Sequence, residues 1–499
     1  MQAARLILDR DYQIGPIDPR LFGAFLEQLG RAIYTGIYEP GHPTADEHGF
    51  RQDVLALVRR MGVPIVRWPG GNFVSGYQWE DGIGPVSERP RRLDLAWFST
   101  ETNAVGVHEF CEWSKKAGAG VMMAINLGTR GVQAAQSLVE YCNHPGGTQW
   151  SDLRKKNGAP DPFGVKLWCL GNEMDGSWQI GQKTALEYAR AAKEAGKVMK
   201  WVDPTIELVA CGSSGMMMPT FGAWEDTVLG EVYDIADYLS LHQYINNTAG
   251  DTPNFLAQNM LMDAFIRSLA SICDAVGARK RSKKKMYLSF DEWNVWYHSH
   301  GRDQKYYDSR VWHEAPPLLE DVYTFEDALA AGGMLLTLLK NADRVKIACL
   351  AQLVNVIAPI MTRKGGGAWC NTLYYPFMHA SLYGRGISLR PIVDCPCYAT
   401  KDFDQVPALD TAAVLGDDGA LTVFALNRSP EDIALTLDTR AFGNLRLGEH
   451  ILLQHDDLRA VNTEQAPDTV RPRAVSSRAL PVKVPAYSWN VLRFGAGDE

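Results

Sequence analysis

Apolar residues in this chain come in short continuous runs that stop abruptly at polar ones. Leu167-Trp168-Cys169-Leu170 breaks at Gly171-Asn172-Glu173, and the run opening at Met286 breaks at Asp291-Glu292. Such runs, bounded by turn formers, mark strands buried on both faces. The form recurs in Leu21 to Leu26 before Glu27, and in Pro64 to Trp68, which carries Arg67 and ends at Pro69-Gly70-Gly71-Asn72. It recurs again in Val121 to Asn126, Glu207 to Gly212, Tyr238 to Tyr244, and Val345 to Val356 with Gln352 near its end. Between these runs the apolar spacing widens to that of a helix face. It predicts helices over Phe50 to Met61, near Val107 to Ala117, from about Thr184 to Trp201, over Phe255 to Val276 and over Phe325 to Asn341. Roughly eight strand–helix units predict a (β/α)8 TIM barrel. Phe73 to Thr102, with Trp79 and Trp97, and Asn294 to Tyr323, with Trp296, His298, His300 and Trp312, read as long loops.

Near Gly384 the alternation stops. Strands become short, and turn formers recur at Gly416-Asp417-Asp418-Gly419 and Asn427-Arg428-Ser429-Pro430. Leu421 to Asn427 and Trp489 to Phe494 read as strands of a jelly-roll-like β-sandwich. Ala4 to Leu8 is a strand with no helix after it and is expected to join that sandwich. The expected division is 1–15, an N-terminal strand of the sandwich; 16–384, the barrel; and 385–499, the all-β domain.

Composition narrows the partners. At 499 residues the chain suits a barrel with a smaller companion. Its 46% hydrophobic and 22% charged content is that of an ordinary soluble globular protein. A net charge of −8 argues against nucleic acid or an anionic membrane as partner. The N-terminus lacks the apolar core of a signal peptide, and no run reaches a membrane-spanning length. Nine cysteines, an odd number scattered through apolar stretches, suit reduced thiols. A cytoplasmic protein is expected.

Barrel active sites sit at the C-terminal ends of the strands. The residues expected there are Glu27, Arg67, Asn72, Asn172, Glu173, His242, Tyr244, Glu292 and Gln352, with tryptophans on the adjoining loops. Amides, hydroxyls, carboxylates and rings together suit a neutral polyol. Gly365-Gly366-Gly367 does not open a helix after a strand, so no phosphate nest is expected. His242 stands alone on its strand, and neither metal nor cofactor is expected. Two glutamates without a metal point to glycoside hydrolysis, one as general acid and the other as nucleophile or base. The attacking carboxylate needs donors, for which Tyr244, His242 and Arg67 are candidates.

Leu170-Gly171-Asn172-Glu173-Met174-Asp175-Gly176, Asp291-Glu292-Trp293-Asn294-Val295-Trp296 and Arg67-Trp68-Pro69-Gly70-Gly71-Asn72-Phe73-Val74-Ser75-Gly76-Tyr77 resemble the glycoside hydrolase family 51 α-L-arabinofuranosidases. So do Phe25-Leu26-Glu27-Gln28-Leu29-Gly30 and Ala351-Gln352-Leu353-Val354-Asn355-Val356. The resemblance runs from about residue 5 to the C-terminus. It implies a retaining exo-acting hydrolase of arabinofuranosyl-containing oligosaccharides, with the carboxylates on the fourth and seventh strands. Glu173 would be the acid/base and Glu292 the nucleophile. Asn172 would bind the sugar 2-hydroxyl. Glu27, Arg67, Asn72, Tyr244 and Gln352 would hold the furanose or orient the nucleophile, and Trp97 and Trp296 would lie near the substrate. A homo-oligomer, commonly a hexamer, is implied as well. Trp68 stands where many relatives have tyrosine, and the loop Ser299 to Trp312 is less alike, which leaves the leaving-group preference open.

Other readings stay open on the residues. Gln352 and Asn72 could be structural amides, Glu27 could support Arg67, Trp97 could be core, and His242 could orient a carboxylate. An endoglucanase or xylosidase on the same scaffold, a carbohydrate-binding protein without turnover, and a metal-dependent lyase or isomerase are the competing functions.

Overall fold

The computed structural model describes residues 1–477 and 479–496. Eight parallel strands close into a barrel: β1 (Gly23–Phe25), β2 (Ile65–Trp68), β3 (Gly120–Ala124), β4 (Leu167–Leu170), β5 (Glu207–Ala210), β6 (Tyr238–Ile245), β7 (Tyr287–Val295) and β8 (Val345–Ala351). Each pairs with its successor, and β8 pairs with β1. Their side chains are almost all buried, as an unbroken apolar run requires when one face meets the barrel core and the other meets helices. The fold is a TIM barrel with a C-terminal β-rich domain.

Helices α1 (Gln52–Met61) and α2 (Val107–Ala117) each stop at a glycine in the left-handed region, Gly62 at φ 70° and Gly118 at φ 77°. Two helices that the apolar spacing does not announce, α3 (Val132–Asn143) and α4 (Gln149–Lys156), join β3 to β4. α5 (Ala185–Val202) opens on a capping box in which Thr184 Oγ1 accepts from the Glu187 amide and Glu187 accepts from the Thr184 amide. α6 (Ala223–Val232) was also unannounced. The expected helix Phe255–Val276 is two, α7 (Thr252–Phe255) and α8 (Asn259–Arg279).

The expected loop Asn294 to Tyr323 is not all loop. It holds α9 (His300–Ser309), whose sequence HGRDQKYYDS has too few apolar positions to show a helical period. The other long segment, Phe73 to Thr102, folds into three 3₁₀ turns and a hairpin, Arg92–Asp94 against Ser99–Glu101.

Beyond α10 (Phe325–Lys340) and α11 (Tyr374–Tyr383) lie two further sheets. One has four strands, with Gln2–Ile7 parallel to Ile433–Asp438; the other has seven, with Gln13–Pro16 at one edge. In the seven-stranded sheet, side chains alternate between two cores. Leu421, Val423 and Ala425 face the four-stranded sheet, while Phe424 and Leu426 join the barrel's apolar cluster. That second core is built on α10, whose side chains are buried on every face as far as Leu339. Gly332 lets helix and sheet meet: a Cβ there would fall 2.8 Å from the Trp489 ring.

Candidate active site

Gly171, at φ 88°, turns the chain at the end of β4 and aims Asn172 and Glu173 into the barrel mouth. Glu173 itself has φ 44°, an uncommon conformation for a side-chain-bearing residue and one found at functional sites. Its Oε1 lies 2.9 Å from His242 Nδ1, and its Oε2 accepts from Trp178 Nε1 at 2.7 Å. Glu292, on β7, receives Arg67 Nη1 on Oε1 and the Tyr244 hydroxyl on Oε2, both at 2.7 Å. Of the three expected donors, Arg67 and Tyr244 therefore hold Glu292. His242 instead bonds Glu173 and stands 3.8 Å from Glu292. Oxygens of the two glutamates and a His242 nitrogen lie within 4.8 Å of one another.

Arg67 is buried, with its guanidinium 4.7 Å from the centre of the Phe25 ring. Its Nη2 donates to Asn172 Oδ1 at 2.6 Å. This fixes the Asn172 amide so that Nδ2, buried and without a partner among the described residues, is a donor in reserve. Burial would hold His242 neutral, but Glu292, Asp291 and Glu173 outweigh it and raise the imidazole to about 10. His242 is a cation at neutral pH.

Across the mouth, Glu27 at the end of β1 does not touch Arg67 by any hydrogen bond or ion pair among the described residues. Its Oε1 accepts from the Phe73 amide at 2.8 Å and from Trp97 Nε1 at 2.9 Å. Gln352 closes the cluster, donating to Glu27 Oε2 at 3.3 Å and accepting from the Glu27 amide at 3.0 Å. Burial, with a contribution from the Glu292 charge, pushes Glu27 up to about 8, although Phe73 and Trp97 pull it down. Gly71 is required here, since a Cβ would sit 2.7 Å from Glu27 Oε2.

The glutamates open on a cavity of about 790 Å³. Of the residues expected from the sequence, Glu27, Asn72, Trp97, Glu173, Tyr244, Glu292, Trp296 and Gln352 line it, while Arg67, Asn172 and His242 support it from within. Trp97 is thus a wall with a hydrogen-bonding edge, and Trp296 packs edge-on against Tyr244 with 5.4 Å between ring centres. Phe98, Trp178, Ser214, and His300, Asp303, Gln304 and Tyr307 of α9 also line the cavity. None carried a strand-end signal, because each belongs to a loop or to the unannounced helix. Glu173, His242 and Glu292 are close enough to hold a cation. In this structure the positive charge facing these carboxylates is that of the Arg67 guanidinium and the imidazole.

Known proteins resemble this chain over nearly its whole length. Residues 57–259 match the description "Alpha-L-arabinofuranosidase 1 domain", and residues 291–488 match "Alpha-L-arabinofuranosidase C-terminal domain". The chain is 58% identical, over 99% of both chains, to a Halalkalibacterium halodurans protein named intracellular exo-α-(1→5)-L-arabinofuranosidase. It is 48% identical, over 99% of this chain and 97% of the other, to a Bifidobacterium longum exo-α-(1→6)-L-arabinofuranosidase. The solved structure of a family 51 α-L-arabinofuranosidase from Bifidobacterium longum superposes with a TM-score of 0.94 at 44% identity, covering 99% of this chain and 100% of that one. On these matches over nearly the whole chain, it belongs to the glycoside hydrolase family 51 α-L-arabinofuranosidases and is a glycoside hydrolase.

Proposed function

We propose that this chain is an intracellular exo-acting enzyme that releases terminal L-arabinofuranose from arabinan- and arabinoxylan-derived oligosaccharides with retention of configuration. The carrying observation is that one oxygen of Glu173 and one of Glu292 lie within 4.8 Å of each other. That closeness is compatible with the carboxyl separation of about 5–5.5 Å found in retaining enzymes, where inverting ones keep about 6.5–9.5 Å to admit water.

In the first step Glu292 attacks the anomeric carbon, the bond to the leaving oxygen breaks, and that oxygen takes the Glu173 proton. His242 and Trp178 donate to the two Glu173 oxygens, so the proton on that carboxyl is left to point toward the leaving oxygen. In the second step water gives its proton to Glu173, attacks the same carbon and frees Glu292. Asn172 Nδ2 is the donor for the 2-hydroxyl, and Glu27, Gln352 and Asn72 meet the remaining hydroxyls. With its carboxyl raised to about 8, Glu27 is largely protonated at neutral pH, so it can donate to a hydroxyl as well as accept from one.

The relatives bear (1→5) and (1→6) names, so linkage is tested directly. Incubation with α-(1→5)- and α-(1→6)-linked arabino-oligosaccharides, followed by proton NMR, should show (1→5) cleavage and α-arabinofuranose as the first product. First release of the β-anomer would overturn retention; cleavage of xylosides or glucans alone would overturn the substrate. A hexamer is proposed from family resemblance alone, and light scattering should give six times the chain mass. The division at residues 15 and 384 is proposed with it and is checked by limited proteolysis.

A further inference from the structure

Strand alternation should send Asp291 and Glu292 to opposite faces of β7. The register shows why it does not. Between the pairs Ser240–Ser289 and His242–Glu292, β6 has one residue and β7 has two. This bulge turns both carboxylates toward the same guanidinium. Glu292 bonds Arg67 Nη1, and Asp291 Oδ2 lies 3.2 Å from Arg67 Nε, an ion pair whose angle falls short of a hydrogen bond. Asp291 Oδ1 accepts from Ser240 Oγ and lies 3.6 Å from His242 Nε2. Asp291 is 1% exposed and lines no part of the cavity, and both its oxygens are turned to Arg67, Ser240 and His242.

We propose that Asp291 is a positioning residue whose negative charge, shared between Arg67 and His242, keeps the guanidinium placed against Glu292 and the imidazole placed against Glu173. The inference rests on the roles assigned above to Glu173 and Glu292. Arg67 and His242 are two cations held between two carboxylates, Asp291 and Glu292. Burial alone would push Asp291 up, but Arg67, His242 and Ser240 hold it below the ordinary carboxylate range, so it stays charged at working pH. Other titratable groups surround the cluster. Burial pushes the thiols of Cys169, Cys211 and Cys349 and the Tyr244 hydroxyl upward, leaving all four neutral. Glu27 is raised to about 8. Asp175, near Glu173, is raised to about 6, chiefly by burial, and Asp303 of α9 lines the cavity. Without Asp291 the imidazole loses one of the anions that hold its charge and its place beside Glu173, and Arg67 falls wholly on Glu292, blunting the nucleophile.

The test is the pH profile of kcat/KM on an aryl α-L-arabinofuranoside for wild type and Asp291→Asn, whose amide keeps the shape and removes the charge. Both limbs should move toward acid by roughly one pH unit, the effect of removing one nearby charge, with kcat lowered. Loss of amplitude with unmoved limbs would reduce Asp291 to a structural part and overturn the proposal. A second measurement needs no variant. In histidine-labelled wild type, nitrogen NMR should show His242 as an imidazolium at pH 8, and a neutral ring there would remove the need for the counter-charge and overturn it too. Azide rescue of the glutamate variants reads the roles of Glu173 and Glu292 independently, so a failure here is distinguishable from a failure there.

Discussion

The charged side chains in this site are placed by the neighbours they bond. Arg67 reaches Asn172, Asp291 and Glu292 at once, so its guanidinium sets the spacing of the strand-end groups. Asn172 keeps one buried donor without a partner among the described residues, the one proposed above to serve the sugar. Asn172→Ala should lower kcat on the order of a hundredfold, the usual loss for one preorganised donor, in steady-state assays with an aryl arabinofuranoside. Trp97→Phe keeps a ring but removes the hydrogen bond to Glu27. It should reduce kcat/KM by about tenfold or more, because a buried acceptor is left with one partner fewer.

The hairpin that carries Trp97 is anchored by buried acids. Asp94 accepts from the Ala96 amide and from Ser99, and Glu101 accepts from Tyr34 and from the Asn103 amide. Burial pushes each up to about 7 against those bonds. A carboxyl raised on folding binds its proton more tightly in the native state. Its stabilisation is therefore full below the ordinary carboxylate pKa and is lost as pH rises through about 7. The melting temperature should fall between pH 5 and 8, and Asp94→Asn with Glu101→Gln should flatten that slope in scanning calorimetry; an unchanged slope would mean the acids do not couple to folding.

Elements differ in how far the sequence announces them. The barrel strands were legible because a strand buried on both faces must be an unbroken apolar run, and their terminal polar residues stand out against it. From that came Glu173, Glu292 and their neighbours, with roles supplied by resemblance. α9 was not legible, since a polar surface helix has no apolar stripe to show. The hydrogen bond from Trp178 to Glu173 depends on a loop conformation that no periodicity encodes. Nor could alternation reveal the bulge that brings Asp291 and Glu292 to one arginine, because it is the rule the bulge breaks.

At the scale of the molecule, α10 serves as the shared core of barrel and sandwich. Polar groups add to the joint: Asp410 of the sandwich accepts from Lys340 at 2.6 Å and from Asn259 at 2.9 Å. Trp489, fully buried against Gly332 and donating to His379 at 3.2 Å, is its largest apolar contribution. Trp489→Ala should destabilise the protein by about 3–5 kcal/mol, as for other large-to-small core changes. It should also split the calorimetric transition in two, whereas a single unshifted transition would show that the bodies fold independently of this contact.

The central claim, that Glu173 and Glu292 perform a double displacement on an arabinofuranoside, is tested most directly by azide rescue. Wild type, Glu173→Ala and Glu292→Ala are compared on an aryl α-L-arabinofuranoside with and without azide. Wild type should turn over, Glu173→Ala should yield an α-linked azide, and Glu292→Ala should yield a β-linked one. Exchange of these products between the variants would reverse the two roles, and failure of both rescues with a folded, active wild type would contradict the mechanism.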